Sequence, residues 1–221
     1  MAHEWIANLS QIKTELAGRD EKLDVLFRLV GDVAFEPRGR PFESLVLAVI
    51  GQQLSTKAAR TIEKRVRDLC GGGEITPDSI LSLEFSRLRE AGVSAAKITC
   101  MLDLARKVKD GQIDLETLDA LENRQIIDLL TQVKGIGRWT AEMFLIFSLG
   151  RPNVLSAGDF GLKRAVKWLY QMEDRSDGKY VEQHGDRWDP YQSVVSLYLW
   201  KAIDLGFADS GRSAEELLSG R

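Results

Sequence analysis

Cysteine and histidine are scarce in this 221-residue chain. Cys70 and Cys100 are the only cysteines. Two thiols so far apart suit a reducing compartment and exclude a four-cysteine iron–sulfur or zinc site. His3 and His184 are the only histidines, too few for a His-based metal centre and an argument against a Ser–His–Asp triad. No apolar run approaches the roughly 18 residues that a membrane span needs. The opening MAHEWIANLSQIK has no basic stretch followed by an apolar one, so no secretory signal is expected. There is no low-complexity segment and no repeat. No stretch alternates with period two, so no sheet is expected.

What remains is a globular composition, 44% hydrophobic and 29% charged, which predicts one large domain or two small lobes. The net charge of −3 argues mildly against a polyanion partner. Its distribution says otherwise. Between Val133 and Tyr170 lie Lys134, Arg138, Arg151, Lys163, Arg164 and Lys167 against only Glu142 and Asp159. The acidic residues Glu173, Asp174, Asp177, Glu182, Asp186 and Asp189 follow. A basic face on an acidic body is compatible with nucleic acid, although a solvated helix face is the plainer reading.

The hydrophobic period is helical nearly throughout. Leu23, Leu26, Phe27 and Val30 form a stripe that Asp20 can cap. Pro41 can open a helix carrying Phe42, Leu45, Val46, Val49 and Ile50. Ser55 can cap the next helix, which Gly71-Gly72-Gly73 stops. Thr76-Pro77-Asp78 starts a short one, and Ser94 caps another that ends at Gly111. Further helices are expected over 114–121, 126–132, 138–148, 161–170 and 189–205. The polar segments 33–39 and 172–185 read as linkers.

The segment VKGIGRWTAEMF is a helix-turn-helix corner. Gly135 and Gly137 suit a turn that needs positive φ or close approach of another backbone. They leave N–H groups bare just ahead of a helix N-terminus, flanked by Lys134 and Arg138. That arrangement suits one phosphate of a nucleic-acid backbone, without reading sequence. A plain αα-corner explains the glycines equally well. Asp159, in SAGDFGL, either caps the helix behind it or does chemistry.

Around the paired glycines, Leu130, Val133, Ile136, Thr140 and Ala141 resemble the helix-hairpin-helix motif. The acid in PNVLSAGDFGL resembles the signature of the helix-hairpin-helix DNA glycosylases. GRWTAEMF and IGQQLSTKAA resemble its alkylation-repair branch, the 3-methyladenine DNA glycosylase II type. The resemblance covers roughly 41–207. It implies a monofunctional enzyme that flips alkylated purines (3-methyladenine or 7-methylguanine type) from duplex DNA and excises them, leaving an abasic site.

In that resemblance Asp159 is the catalytic carboxylate, stabilising an oxocarbenium-like sugar or activating a water. An N-alkylated purine is already cationic and leaves with little help from a general acid. Trp139 stands where strand-nicking relatives carry a Schiff-base lysine, so no lyase step is expected. Trp139 and Trp200 match base-pocket positions, with Met143 where some relatives place an aromatic wall. For Trp200 a core role is as good a reading, and Tyr170, Tyr191 and Tyr198 are equally open. Gln53 matches the plug that fills the emptied base stack, with Leu54 a neighbouring wedge and Gln52 and Ser55 near the minor groove. The backbone contacts would be Lys134, Gly135, Gly137, Arg138 and Thr140, with Ser94 and Lys97 as a second element. The hairpin carbonyls of Val133 and Ile136 would be the place for a monovalent cation. No other metal and no organic cofactor is implied.

Two departures stand out: Met143, and Gln192 where an arginine usually supports the catalytic region. The extra N-terminal sheet domain of a larger bacterial relative is not expected here. The expected fold is all-α and two-lobed. One lobe spans 41–151, and 1–40 with 152–221 form the other, with the cleft between them and Asp159 at the junction. The expected partner is double-stranded DNA, the expected state a monomer. The expected place is the cytoplasm at the nucleoid, or the nucleus if the source is eukaryotic. The plain alternatives are a non-catalytic damage-binding module of this fold, and a glycosylase/lyase for other lesions.

Overall fold

In the computed structural model, residues 4–172 and 179–220 are described. Among them there is no strand, and no helix is long and apolar enough to cross a membrane. The chain divides into two compact units.

The first unit, 1–36 with 150–221, contains α1 (Glu4–Ala7), α2 (Leu9–Arg19) and α3 (Glu21–Val30). Its C-terminal part adds α11 (Phe160–Leu169), α12 (Lys179–Gly185), α13 (Gln192–Asp204) and α14 (Ala214–Ser219). Asp20 caps α3 by accepting the Lys22 amide at 3.0 Å, as its position predicts. Its other oxygen accepts the Tyr170 hydroxyl at 2.6 Å. Leu23, Leu26 and Leu29 are fully buried on α3, against which α2, α13 and α14 pack. Tyr198 is buried and meets Phe27 edge-on at 4.8 Å, so Tyr170 and Tyr198 belong to this core.

The second unit, 37–149, runs from α4 (Pro41–Gly51) and α5 (Thr56–Leu69) through α6 (Pro77–Ser82), α7 (Phe85–Glu90) and α8 (Ala95–Lys109). It closes with α9 (Asn123–Leu130) and α10 (Arg138–Phe147). α4 is the centre, packed on α5, α8 and α10. It buries nearly all its surface, with Leu45, Val46 and Val49 at zero exposure. Buried Glu43 on this helix is matched rather than stranded. Arg67 lies 2.5 Å away and the Ile75 amide donates at 3.1 Å. Burial alone would raise the Glu43 carboxyl, but these partners and Arg40 hold it below the usual value.

Several sequence expectations need correction. The segment 172–185 is not a simple linker: Lys179–Gly185 is helical, while 173–178 lie outside the described residues. The helix expected over 114–121 is only a 3-10 turn at Leu118–Ala120. α9 starts earlier than expected, because Glu122 and Gln125 form a capping box. α13 starts later, at Gln192.

Candidate active site and nucleic-acid interface

In the second unit α4 ends at Gly51 and the chain turns sharply into α5. Gln53 takes a left-handed φ of 56°, which costs a non-glycine residue roughly 1–2 kcal/mol. Both Gln53 and Leu54 are exposed at the tip. Ser55 caps α5 by accepting the Ala58 amide at 3.3 Å. The loop is held from both sides. Lys97 donates to the Ile50 and Gln52 carbonyls at 2.9 and 2.7 Å. Those are orphan acceptors at a helix C-terminus, where a cation fits. The Gln52 amide donates to Thr140 Oγ1 at 3.0 Å and to the Gly135 carbonyl at 3.3 Å.

Gln52, expected near the minor groove, and Lys97, expected at the DNA backbone, are both engaged within the protein. The side chain of each ties the tip loop to the rest of its unit. Burial lowers the Lys97 ammonium below its ordinary value, in keeping with an internal clamp. Ser94 caps α8, accepting the Lys97 amide at 3.4 Å.

The glycine corner is rigidly built. Buried Val133 and Ile136 anchor it, and the Ile136 amide donates to the Val133 carbonyl at 3.0 Å. The Lys134 amide donates to Asp103 at 2.9 Å. Gly135 has φ +99°, and a Cβ there would meet Cys100 Cβ at 3.1 Å and Sγ at 3.2 Å. Both reasons for glycine hold at that position. Neither holds at Gly137, where φ is −92° and a Cβ would meet nothing within 4 Å. Gly137 is the exposed N-cap of α10, and its side is open to something approaching from outside. Among the described residues no group accepts the Gly135 or Gly137 N–H. Arg138 is exposed but pairs with buried Glu142 at 2.7 Å, so its charge is partly spent. Asp103 and Cys100 were missed in the sequence, since nothing in an amphipathic helix marks the residues another loop leans on.

Behind the corner, α10 and α4 enclose a cavity of about 300 Å³ lined by Trp139, Met143, Phe147, Ser44, Leu47 and Thr140 among others. That is the lower end of the size range of small-molecule sites. Trp139 is 45% exposed at this cavity, so it is not a core tryptophan.

In the first unit the Asp159 carboxylate accepts two hydrogen bonds. It caps α11, with Oδ1 accepting the Leu162 amide at 2.7 Å. The same oxygen accepts the indole N–H of Trp200 at 2.9 Å. Trp200 is half-buried on α13 and reaches the carboxylate, a contact the sequence did not reveal. Gly161 makes room for this: a Cβ there would lie 3.2 Å from Asp159 Oδ1 and 3.5 Å from Trp200 Cδ1. The segment leading to Asp159 is stitched to the start of α13. The Ser193 amide donates to Pro152 O at 2.9 Å, and Ser193 Oγ accepts the Val154 amide at 3.0 Å. Gln192 donates to the Gly185 carbonyl at 3.2 Å. Phe160, next to Asp159, is 80% exposed, an aromatic ring left in water that no local sequence pattern marks.

One helical unit carries open hairpin amides, and the other carries an indole-bonded carboxylate at a helix N-terminus. Residues 46–190 match the family described as HhH-GPD superfamily base excision DNA repair protein, and the chain belongs to that family. It is 35% identical to DNA-3-methyladenine glycosylase 1 of Schizosaccharomyces pombe over 91% of both chains. The crystal structure of a DNA-3-methyladenine glycosidase from Bacillus halodurans superposes with a TM-score of 0.81 at 44% identity, covering 92% of this chain and 94% of that one. The Schizosaccharomyces pombe 3-methyladenine DNA glycosylase bound to abasic DNA gives 0.82 at 35% identity, covering 89% and 98%.

Proposed function

We propose that the protein is a monofunctional DNA glycosylase that excises alkylated purines of the 3-methyladenine or 7-methylguanine type from duplex DNA. Membership of the family and relatives named as 3-methyladenine glycosylases support the activity. The assignment to the type II subclass rests on the GRWTAEMF and IGQQLSTKAA motifs. The observation that carries the reading is the Asp159 carboxylate, oriented by the Leu162 amide and the Trp200 indole.

Cleavage of the glycosidic bond puts positive charge on the sugar, and a preorganised anion stabilises that charge without reorganising. The departing alkylated purine gains its missing electron pair from the breaking bond and becomes neutral. It needs no general acid. A water, positioned or deprotonated by Asp159, completes the abasic sugar. Trp139 and Met143 contact the flipped base. An indole face contributes roughly 0.5–2 kcal/mol toward a cationic base, about one power of ten, so the weak bond of the lesion supplies much of the selectivity. The exposed ring of Phe160 offers a further apolar face to the nucleotide.

Gln53 and Leu54 fill the gap in the stack, with Gln52 and Lys97 holding their loop in shape. Ser55 and Ser94 sit at helix starts that face the backbone, and the Gly135 and Gly137 amides with Lys134 and Arg138 hold a phosphate, while buried Thr140, expected among these contacts, holds Gln52 instead. The Val133 and Ile136 carbonyls are hard oxygen donors that would suit a monovalent cation. The enzyme acts as a monomer. The test is incubation with methylated duplex DNA. Free methylated purine and strands that break only after alkali support the reading. Strand breaks without alkali would favour a lyase. Lesion binding without base release would favour a damage-binding module.

A further inference from the structure

The exposed face of α5 lies outside every role assigned above. Lys57, Arg60, Lys64 and Arg65 are all exposed on it and, with Thr61 and Asp68, line an open depression of about 730 Å³. None of these four cations forms an ion pair among the described residues. Elsewhere the chain pairs its helix charges at this spacing. Asp24 with Arg28, Asp103 with Lys107, Arg124 with Asp128 and Arg138 with Glu142 are examples. On α5 the fifth cation, Arg67, is taken by buried Glu43, and Lys64 and Asp68, four apart, do not meet. An unpaired positive face on a chain of net charge −3 is more than solubility requires.

We infer that this face of α5 is a second DNA-backbone surface, which binds the phosphates of one strand of the duplex flanking the lesion. Two features point to DNA. The depression holds four positive side chains against one carboxylate, Asp68. Its helix also begins at Ser55, directly after the Gln53–Leu54 tip. From Lys57 to Lys64 the helix rises about 10 Å, the axial span of roughly three phosphates along one strand. Long flexible cations follow a backbone without reading sequence. The face therefore adds affinity for any duplex, damaged or not, and keeps the enzyme on DNA between lesions. This inference rests on the glycosylase reading for its substrate but not for its measurement.

The experiment compares wild type with Lys57→Gln/Arg60→Gln/Lys64→Gln. A control variant, Arg28→Gln/Arg87→Gln/Arg124→Gln, removes the same charge from other exposed positions. Binding to undamaged duplex is followed by fluorescence anisotropy from 50 to 200 mM KCl, and base release under saturating enzyme is measured alongside. The α5 variant is expected to bind at least tenfold more weakly at 50 mM. Its slope of log K against log salt should be shallower by about 2.7, roughly 0.9 for each cation removed. The control should stay near wild type, and single-turnover release should change less than about twofold. An unchanged slope in the α5 variant, or an equal change in the control, overturns the inference. So does a variant that keeps DNA binding but loses binding to polyglutamate, which would assign the face to an acidic polypeptide. If wild type releases no methylated base yet the slope falls as expected, the glycosylase reading fails and this inference stands. If release is normal and the slope is unchanged, only this inference fails.

Discussion

At the scale of single residues the account turns on what holds Asp159. One oxygen takes both the α11 amide and the Trp200 indole N–H. Trp200→Phe keeps an aromatic ring and removes the donor. A hydrogen bond to a charged group is worth about 1.5–3 kcal/mol, so we expect single-turnover release to slow by roughly ten- to a hundredfold with little change in lesion affinity. A residue that only lined the base pocket would instead lose affinity. Gly161→Ala separates activity from stability. The methyl group would press within 3.2 Å of the carboxylate, while alanine in a helix gains about 0.5–1 kcal/mol over glycine. Melting at or above the wild-type temperature with slowed release is the expected pair of results. A variant with undiminished release would show that the carboxylate needs no such room. Asp159 was legible from its distance behind the hairpin. Gly161 and the Trp200 contact were not, because both depend on how α13 lies across α11.

The hairpin is where elements decide. Gly135 and Gly137 look alike in the sequence and differ in the structure. Gly135→Ala meets a left-handed φ and Cys100, and should destabilise the protein by about 1–3 kcal/mol, read by urea unfolding. Gly137→Ala has space and an ordinary φ. It should unfold like wild type yet bind DNA more weakly, because on the proposed reading its methyl group would stand in the path of a phosphate. Equal behaviour of the two variants in both assays would contradict this division. Caps made the elements readable. Asp20, Ser55 and Ser94 mark their helices, as does Pro41. α2 went unread because only Ile12 and Leu16 of it are buried, too thin a stripe. Lys97 and Gln52 looked like surface groups, since a side chain that closes a loop 45 or 83 residues away in sequence leaves no local trace.

For the molecule as a whole, acid should act in two stages. Half-buried His184 stacks on Tyr170 at 3.7 Å. Burial, then Arg187, lowers its imidazole below 6.5. The unfolded chain therefore binds a proton near pH 6.5 that the folded chain resists, and stability falls as pH drops below that value. Glu43 is likewise held low. Its contribution is present above about 4.5 and is lost as pH falls through its lower folded value. Denaturation at pH 7.5 and 5.5 should show the first loss, and His184→Gln should flatten it. A wild type equally stable at both values would contradict the assignment. The helical class and the repair family could both be read from the chain. The unpaired cations of α5 could not, because pairing is a property of side chains in space.

The most direct measurement is the single-turnover release of methylated purine by Asp159→Asn beside wild type, with affinity for an abasic-site duplex recorded for both. We expect release to fall to background while affinity is retained. Release by the variant at the wild-type rate would mean that some other group steadies the sugar cation.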